Sequence, residues 1–190
     1  FILLVYPLVE SGALDGSEDL SCFSLTGYSG GGKKMIADYE EEPDALLCAP
    51  RQYGLTQNHK HLKEMVKISG LENAPAFCPV VGDFYSGMEV TVPVFKSELK
   101  NGFDIEKIKD IYKNKYTGPL VTYCDNLSEN GFISAGVLSG KDSMIVSVFG
   151  NEDRILLTAR YDNLGKGASG AAIECLNIVL GNADTNGLEV

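Results

Sequence analysis

Only two of the 190 residues are histidine, His59 and His61, which argues against a multi-histidine metal centre. The five cysteines (Cys22, Cys48, Cys78, Cys124, Cys175) are odd in number, well spread and never in CxxC spacing. That excludes a disulfide framework or a zinc ribbon and leads us to expect reduced thiols in a cytoplasmic protein. Basic residues are outnumbered, 16 against 26 acidic, for a net charge of −10. Such a field repels nucleic-acid phosphates and anionic membrane surfaces, so neither is expected as a partner. No long apolar run is present either: Phe1 to Tyr6 is apolar but is interrupted by Pro7 and Glu10, too short to span a bilayer. It lacks the basic region and small-residue cleavage site of a signal peptide, and reads instead as the first turns of an amphipathic helix inherited from a longer chain. There is no repeat, no low-complexity segment and no Gly-x-Gly-x-x-Gly fingerprint after a strand.

What is present is ordinary for a globular domain with a sizeable core: 44% hydrophobic and 22% charged residues. Helical periodicity is visible at Ile2 to Glu10, and at Asp104 to Lys115, where Ile105, Ile108 and Tyr112 recur behind an Asp cap. It returns at Ser169 to Leu180, closed by Gly181, with Ala172, Leu176 and Val179 predicted on one buried face. Strand-like runs occupy Asp19 to Thr26, Glu89 to Phe95, Leu120 to Cys124, Met144 to Phe149 and Arg154 to Tyr161. Pro93 marks its strand as an edge or a bulge, because proline donates nothing to a ladder. Gly150-Asn151-Glu152-Asp153 joins the last two runs as a hairpin. The pattern predicts an α+β fold, a mixed and mainly antiparallel sheet with flanking helices.

Three constellations could carry chemistry. In Gly27-Tyr28-Ser29-Gly30-Gly31-Gly32-Lys33-Lys34 the glycines allow backbone N–H groups to converge on an anion at a helix start. It nearly spells a P-loop, but Lys34 replaces the Mg²⁺-binding Ser/Thr and no Walker B aspartate follows; a purely structural turn is the other reading. In Tyr53 to Glu64, Asn58 could cap a helix that would put His59 at its first position, where the macrodipole favours a neutral, proton-accepting imidazole. The plainer reading is a pair of solvated histidines; an HxH metal site finds no third ligand nearby. In Asp162-Asn163-Leu164-Gly165-Lys166-Gly167-Ala168-Ser169-Gly170, small residues at a helix start and Lys166 suit a phosphate or carboxamide, or serve a tight turn alone.

In this order, these three stretches together with Phe84-Tyr85-Ser86-Gly87-Met88 resemble the N-acetyl-gamma-glutamyl-phosphate reductase family, NADPH-dependent semialdehyde dehydrogenases of arginine biosynthesis. The resemblance covers essentially the whole chain. It implies a C-terminal domain like that of glyceraldehyde-3-phosphate dehydrogenase, with residues 1–165 as the catalytic and dimerisation domain. Residues 166–190 would form a helix returning to a separate nucleotide-binding Rossmann domain. It implies NADP(H) as cofactor, a phosphorylated acyl substrate, a homo-oligomer (dimer or tetramer), and hydride transfer onto a cysteine thioester. The family's nucleophile lies in a Pro-Gly-Cys-Tyr type motif just before a helix resembling Phe1 to Glu10, so this chain alone is expected to be inactive. His59 matches the proton-transferring histidine. Tyr53, Lys60 and Glu64 match substrate-side positions, Lys60 standing where the family usually has Arg, and Glu64 lying nearer His61 and Lys60 than His59. Ser29, Gly30, Asn163, Lys166 and Gly167 are the expected cofactor contacts, with Asn163 beside the nicotinamide, and no metal is implied. The alternatives are an aspartate-semialdehyde-dehydrogenase-like enzyme, or a phosphate-binding or oligomerisation module without catalysis.

Overall fold

A computed structural model describes residues 1–41 and 44–190. Helix α1 (Ile2–Glu10) buries Leu4, Val5, Pro7 and Leu8 against the sheet. Pro7 has no N–H to give the Leu3 carbonyl one turn back, and the Tyr116 hydroxyl donates to that carbonyl instead, at 2.5 Å. Helix α4 (Ile105–Lys115) supplies Tyr116 at its end. It starts as expected, with Asp104 accepting from the Lys107 N–H at 2.9 Å and Ile105, Ile108 and Tyr112 buried. The Tyr112 hydroxyl donates to the Leu4 carbonyl, locking the two helices together.

Among the described residues seven strands form one sheet, in the order β2 (Arg51–Gln52), β3 (Ala76–Gly82), β1 (Ser21–Gly27), β4 (Met88–Phe95), β7 (Arg154–Tyr161), β6 (Met144–Gly150), β5 (Val121–Tyr123). The β1–β3 and β5–β6 pairs are parallel and the others antiparallel, as the expected mixed sheet requires. The β6–β7 hairpin turns where expected, with the Asn151 side chain accepting from the Asp153 and Arg154 N–H groups at 3.0 Å.

Two strand assignments change. Strand β3 was not apparent from its sequence, which Pro79 interrupts, yet it lies between β1 and β2. And β4 is internal rather than at an edge. Its ladder to β1 ends at Thr91, so Pro93 has a strand partner only on the β7 side and its missing N–H leaves no gap.

Alternation gives the sheet two faces. Val90, Val92 and Val94 of β4 and Ile155, Leu157 and Ala159 of β7 pack under α1 and α4 in the core. On the opposite face Phe23, Phe95 and Leu156 stay exposed, while Arg160 is buried beneath the 124–143 segment, donating to Glu129 at 2.5 Å.

Helix α5 (Gly170–Leu180) ends at Gly181 in the left-handed conformation, φ +69°, as expected. Its buried face is not the expected one. Leu176 is 55% and Val179 81% exposed, and Ala172 is also exposed, whereas Gly170 and Asn177 are buried. Polar bonds set that rotation: Asn177 donates to the Asp184 and Asn186 carbonyls at 3.1 and 2.8 Å, and Lys166 pairs with Glu174.

Candidate active site

A groove of about 580 Å³ opens where four parts of the chain meet. Phe1 and Ile2 at the start of α1 form one side, and Tyr53, His59, Lys60, His61 and Glu64 a second. Gly30, Asn163 and Gly167 form a third, and strands β1, β3 and β4 provide the floor.

The histidine loop is held by Gln57, whose φ is +55°. Its side-chain amide binds the β3 backbone twice, donating to the Phe77 carbonyl at 2.7 Å and accepting from the Phe77 N–H at 2.9 Å. This anchoring delays the next helix, α3 (Leu62–Ser69), so His61 occupies its N-cap and His59 precedes it. His59 is therefore not at a first helical position, and Asn58 is not the cap. The histidine is made neutral by other means. Burial lowers its pKa from 6.5, and the neighbouring His61 and Lys60 charges act in the same direction. Its ring meets Phe77 edge-on at 5.0 Å and lies 6.5 Å from Tyr53. Glu64 reaches His61 Nδ1 at 3.1 Å, not His59, as its spacing implied. Lys60 makes no ion pair among the described residues. Nor do those residues contain a group of three metal-ligating side chains.

Across the groove Asn163 is tied down at both ends. Its oxygen accepts from the Gly87 N–H at 2.8 Å, and its amide donates to Ser29 Oγ at 3.0 Å. Ser29 thus sits behind Asn163, supporting it. Lys166 does not line the groove; its ammonium is nearly buried on Glu174. At Gly167 a Cβ would meet the Asp162 carbonyl at 3.1 Å and the Tyr161 ring at 3.3 Å, so any side chain there would press on both by a few tenths of an ångström.

The first part of Gly27 to Lys34 is a structural turn: the N–H groups of Gly27, Tyr28 and Ser29 donate to the carbonyls of Gly87, Phe84 and Tyr85 at 2.9–3.0 Å and so are not available to an anion. A Cβ on Gly27 would come within 2.4 Å of the Tyr85 carbonyl, which explains the glycine by close approach. Lys33 and Lys34, in the first turn of helix α2 (Gly32–Glu40), face solvent. Sequence reasoning missed Cys22, Ser24, Phe77, Val90 and Tyr161, which also line the groove. The alternation of Cys22, Ser24 and Thr26 along β1 was the available signal.

A family model for the semialdehyde dehydrogenase dimerisation domain matches residues 1–163, and the chain belongs to that family. More particularly, it is similar to the N-acetyl-gamma-glutamyl-phosphate reductases of Brucella ovis and Brucella canis. It is 40% identical to each over 187 residues, covering 95% of this chain and 60% of the relative. The chain thus spans about 60% of the length of the curated relatives it matches. Among solved structures, aspartate semialdehyde dehydrogenase II from Vibrio cholerae superimposes with TM-score 0.68 at 17% identity, over 94% of this chain and 58% of that one. Aspartate semialdehyde dehydrogenase from Francisella tularensis gives 0.66 at 15% identity, over 94% and 61%. These two likenesses establish the fold.

Proposed function

We propose that this chain is the proton-transferring and self-associating portion of an NADPH-dependent reductase. That enzyme converts N-acetyl-gamma-glutamyl phosphate to N-acetylglutamate semialdehyde through a cysteine thioester, in arginine biosynthesis in the cytoplasm. The observation that carries this is the convergence of His59, Lys60 and His61 on the groove into which α1 begins. A nucleophile on a segment joined ahead of Phe1, as the family resemblance implies, would emerge beside His59.

His59, neutral and backed by Phe77 and Tyr53, takes the thiol proton as the thiolate displaces phosphate, lends it to the oxygen that hydride transfer leaves negative, and takes it back as the C–S bond breaks and the semialdehyde departs. Lys60 faces the acyl phosphate as a point charge, and Glu64 keeps His61 oriented toward the same end. NADPH supplies the hydride when bound. The residues here fit only an edge of it: one N–H of Asn163 remains free beside Gly30 and Gly167, suited to a carboxamide. Residues 1–165 form the catalytic and dimerising unit in this reading. The apolar outer side of 166–190 docks on a nucleotide-binding domain, and a second copy covers the sheet face bearing Phe23, Phe95 and Leu156. The aspartyl-type alternative shares the fold, and 40% identity to the glutamyl-type relatives favours the latter.

The test is NADPH oxidation dependent on N-acetyl-gamma-glutamyl phosphate. The protein carrying this chain with its upstream domain should turn over, and the chain alone should not. Turnover by the chain alone, or by the longer protein only with aspartyl phosphate, would overturn the reading.

A further inference from the structure

The floor of the groove differs chemically from its mouth. Ser24, on β1, is 2% exposed, and its hydroxyl has no hydrogen-bond partner among the described residues although the side chain lines the groove. Buried hydroxyls are nearly always bonded, and of the three unpartnered serine hydroxyls among the described residues, on Ser24, Ser69 and Ser147, the one on Ser24 belongs to a residue that lines the groove, where a ligand atom can be its partner. Its neighbours on the floor are Cys22, Phe77 and Val90. Burial pushes the Cys22 thiol up to about 11, so it stays neutral. Glu89, next to Val90, points to the opposite sheet face by strand alternation. Among the described residues the sole carboxylate lining the groove is Glu64, at the mouth and engaged with His61.

Resting on the function proposed above, we infer that this floor is an N-acyl recess. The Ser24 hydroxyl donates to the carbonyl of the substrate's acetamido group, and Cys22, Phe77 and Val90 pack on its methyl. The acyl phosphate then points to Lys60 and the histidines, so the polarity of the groove sets which end of the substrate enters first. A free α-amino acid is rejected for the same reason. Its ammonium would be desolvated with no carboxylate to receive it, whereas an acetamide is neutral and brings the acceptor that Ser24 lacks.

Binding of N-acetyl-L-glutamate and of L-glutamate by calorimetry, with steady-state kinetics of the full-length protein, tests this. N-acetyl-L-glutamate should bind and L-glutamate should not. Ser24→Ala should weaken N-acetyl-L-glutamate about five- to tenfold and raise KM to match. It should cut kcat less than twofold, with Tm unchanged or raised because an unpaired hydroxyl is gone. Cys22→Ala, which enlarges the recess, should shift preference toward an N-propionyl substrate. Equal binding of the two amino acids, or unaltered N-acetyl-L-glutamate affinity in Ser24→Ala, would overturn the recess while leaving the reductase assignment standing. Reduction of a free amino acyl phosphate alone would instead remove the assignment on which the recess rests.

Discussion

The loops at Tyr53–Glu64 and Asp162–Gly170 both look like ligand-binding turns in sequence, with polar side chains ahead of a helix. In the fold they diverge. Asp162 is almost wholly buried, accepting from the Leu164, Gly165 and Gly140 N–H groups at 2.6, 2.7 and 2.8 Å. Its backbone carbonyl takes the Gly167 N–H, and the Lys166 ammonium goes to Glu174. Asn163 alone of that loop keeps a free donor facing the groove. In the histidine loop the ties to the sheet are the Tyr53 N–H on the Pro79 carbonyl at 3.0 Å and the Gln57 amide on Phe77, and the side chains of His59, Lys60 and His61 remain at the groove. A loop whose donors are consumed internally is a brace. One tied to the sheet by a few backbone bonds can present its side chains to a ligand.

Breaking the histidine loop should have the largest effect, and on rate. His59→Asn in the full-length enzyme should lower kcat by ~10²–10⁴-fold with little change in KM and no loss of Tm. A loss under about fivefold would make His59 a solvated bystander. Because its pKa lies below 6.5, the acid limb of the wild-type kcat profile should fall below that value and vanish in the variant.

Breaking the brace should instead act on stability. Asp162→Ala strands three N–H donors and should cost about 3 kcal/mol at neutral pH, a fall of roughly 6–12 °C in Tm. Burial alone would raise the Asp162 pKa, but the Gly165, Gly140 and Leu164 donors with the Ser86 hydroxyl bring it below 3.8. A depressed carboxylate stabilises above its unfolded value and loses that contribution as pH falls through the folded one. The difference between wild type and variant should therefore persist down to about pH 3.8 and shrink below it. A Tm difference that fades near neutrality would contradict this.

Gly165→Ala sharpens the same contrast, since its Cβ would sit 2.3 Å from the Lys141 carbonyl. Denaturant titration should show a loss of about 2 kcal/mol, with the KM for acyl phosphate unaltered. The smallest effect is expected from Lys166→Met combined with Glu174→Leu, which replaces both partners of the buried pair, at about 1 kcal/mol or less and with no change in NADPH affinity. A weakened cofactor complex at unchanged Tm would return Lys166 to the binding site.

Much of this was legible because it is local. The Asp104 cap, the Ile105, Ile108, Tyr112 stripe, the Gly181 terminus and the Gly150–Asp153 hairpin depend on bonds within a few residues, and spacing reports such bonds directly. The ordered motifs also placed the chain in its family before any contact was known. Tertiary structure alone decided the rest. Strand β3 forms despite Pro79 because β1 and Gln57 supply partners from far along the chain. Helix α5 hides Asn177 and shows Val179 because carbonyls of the following loop hold the amide. Ser24, silent in sequence, becomes a candidate ligand contact because strands β1, β3 and β4 bring it, Phe77 and Val90 to one floor. A residue's periodicity states which neighbours share its face; only long-range packing states whether that face meets core, solvent or a groove.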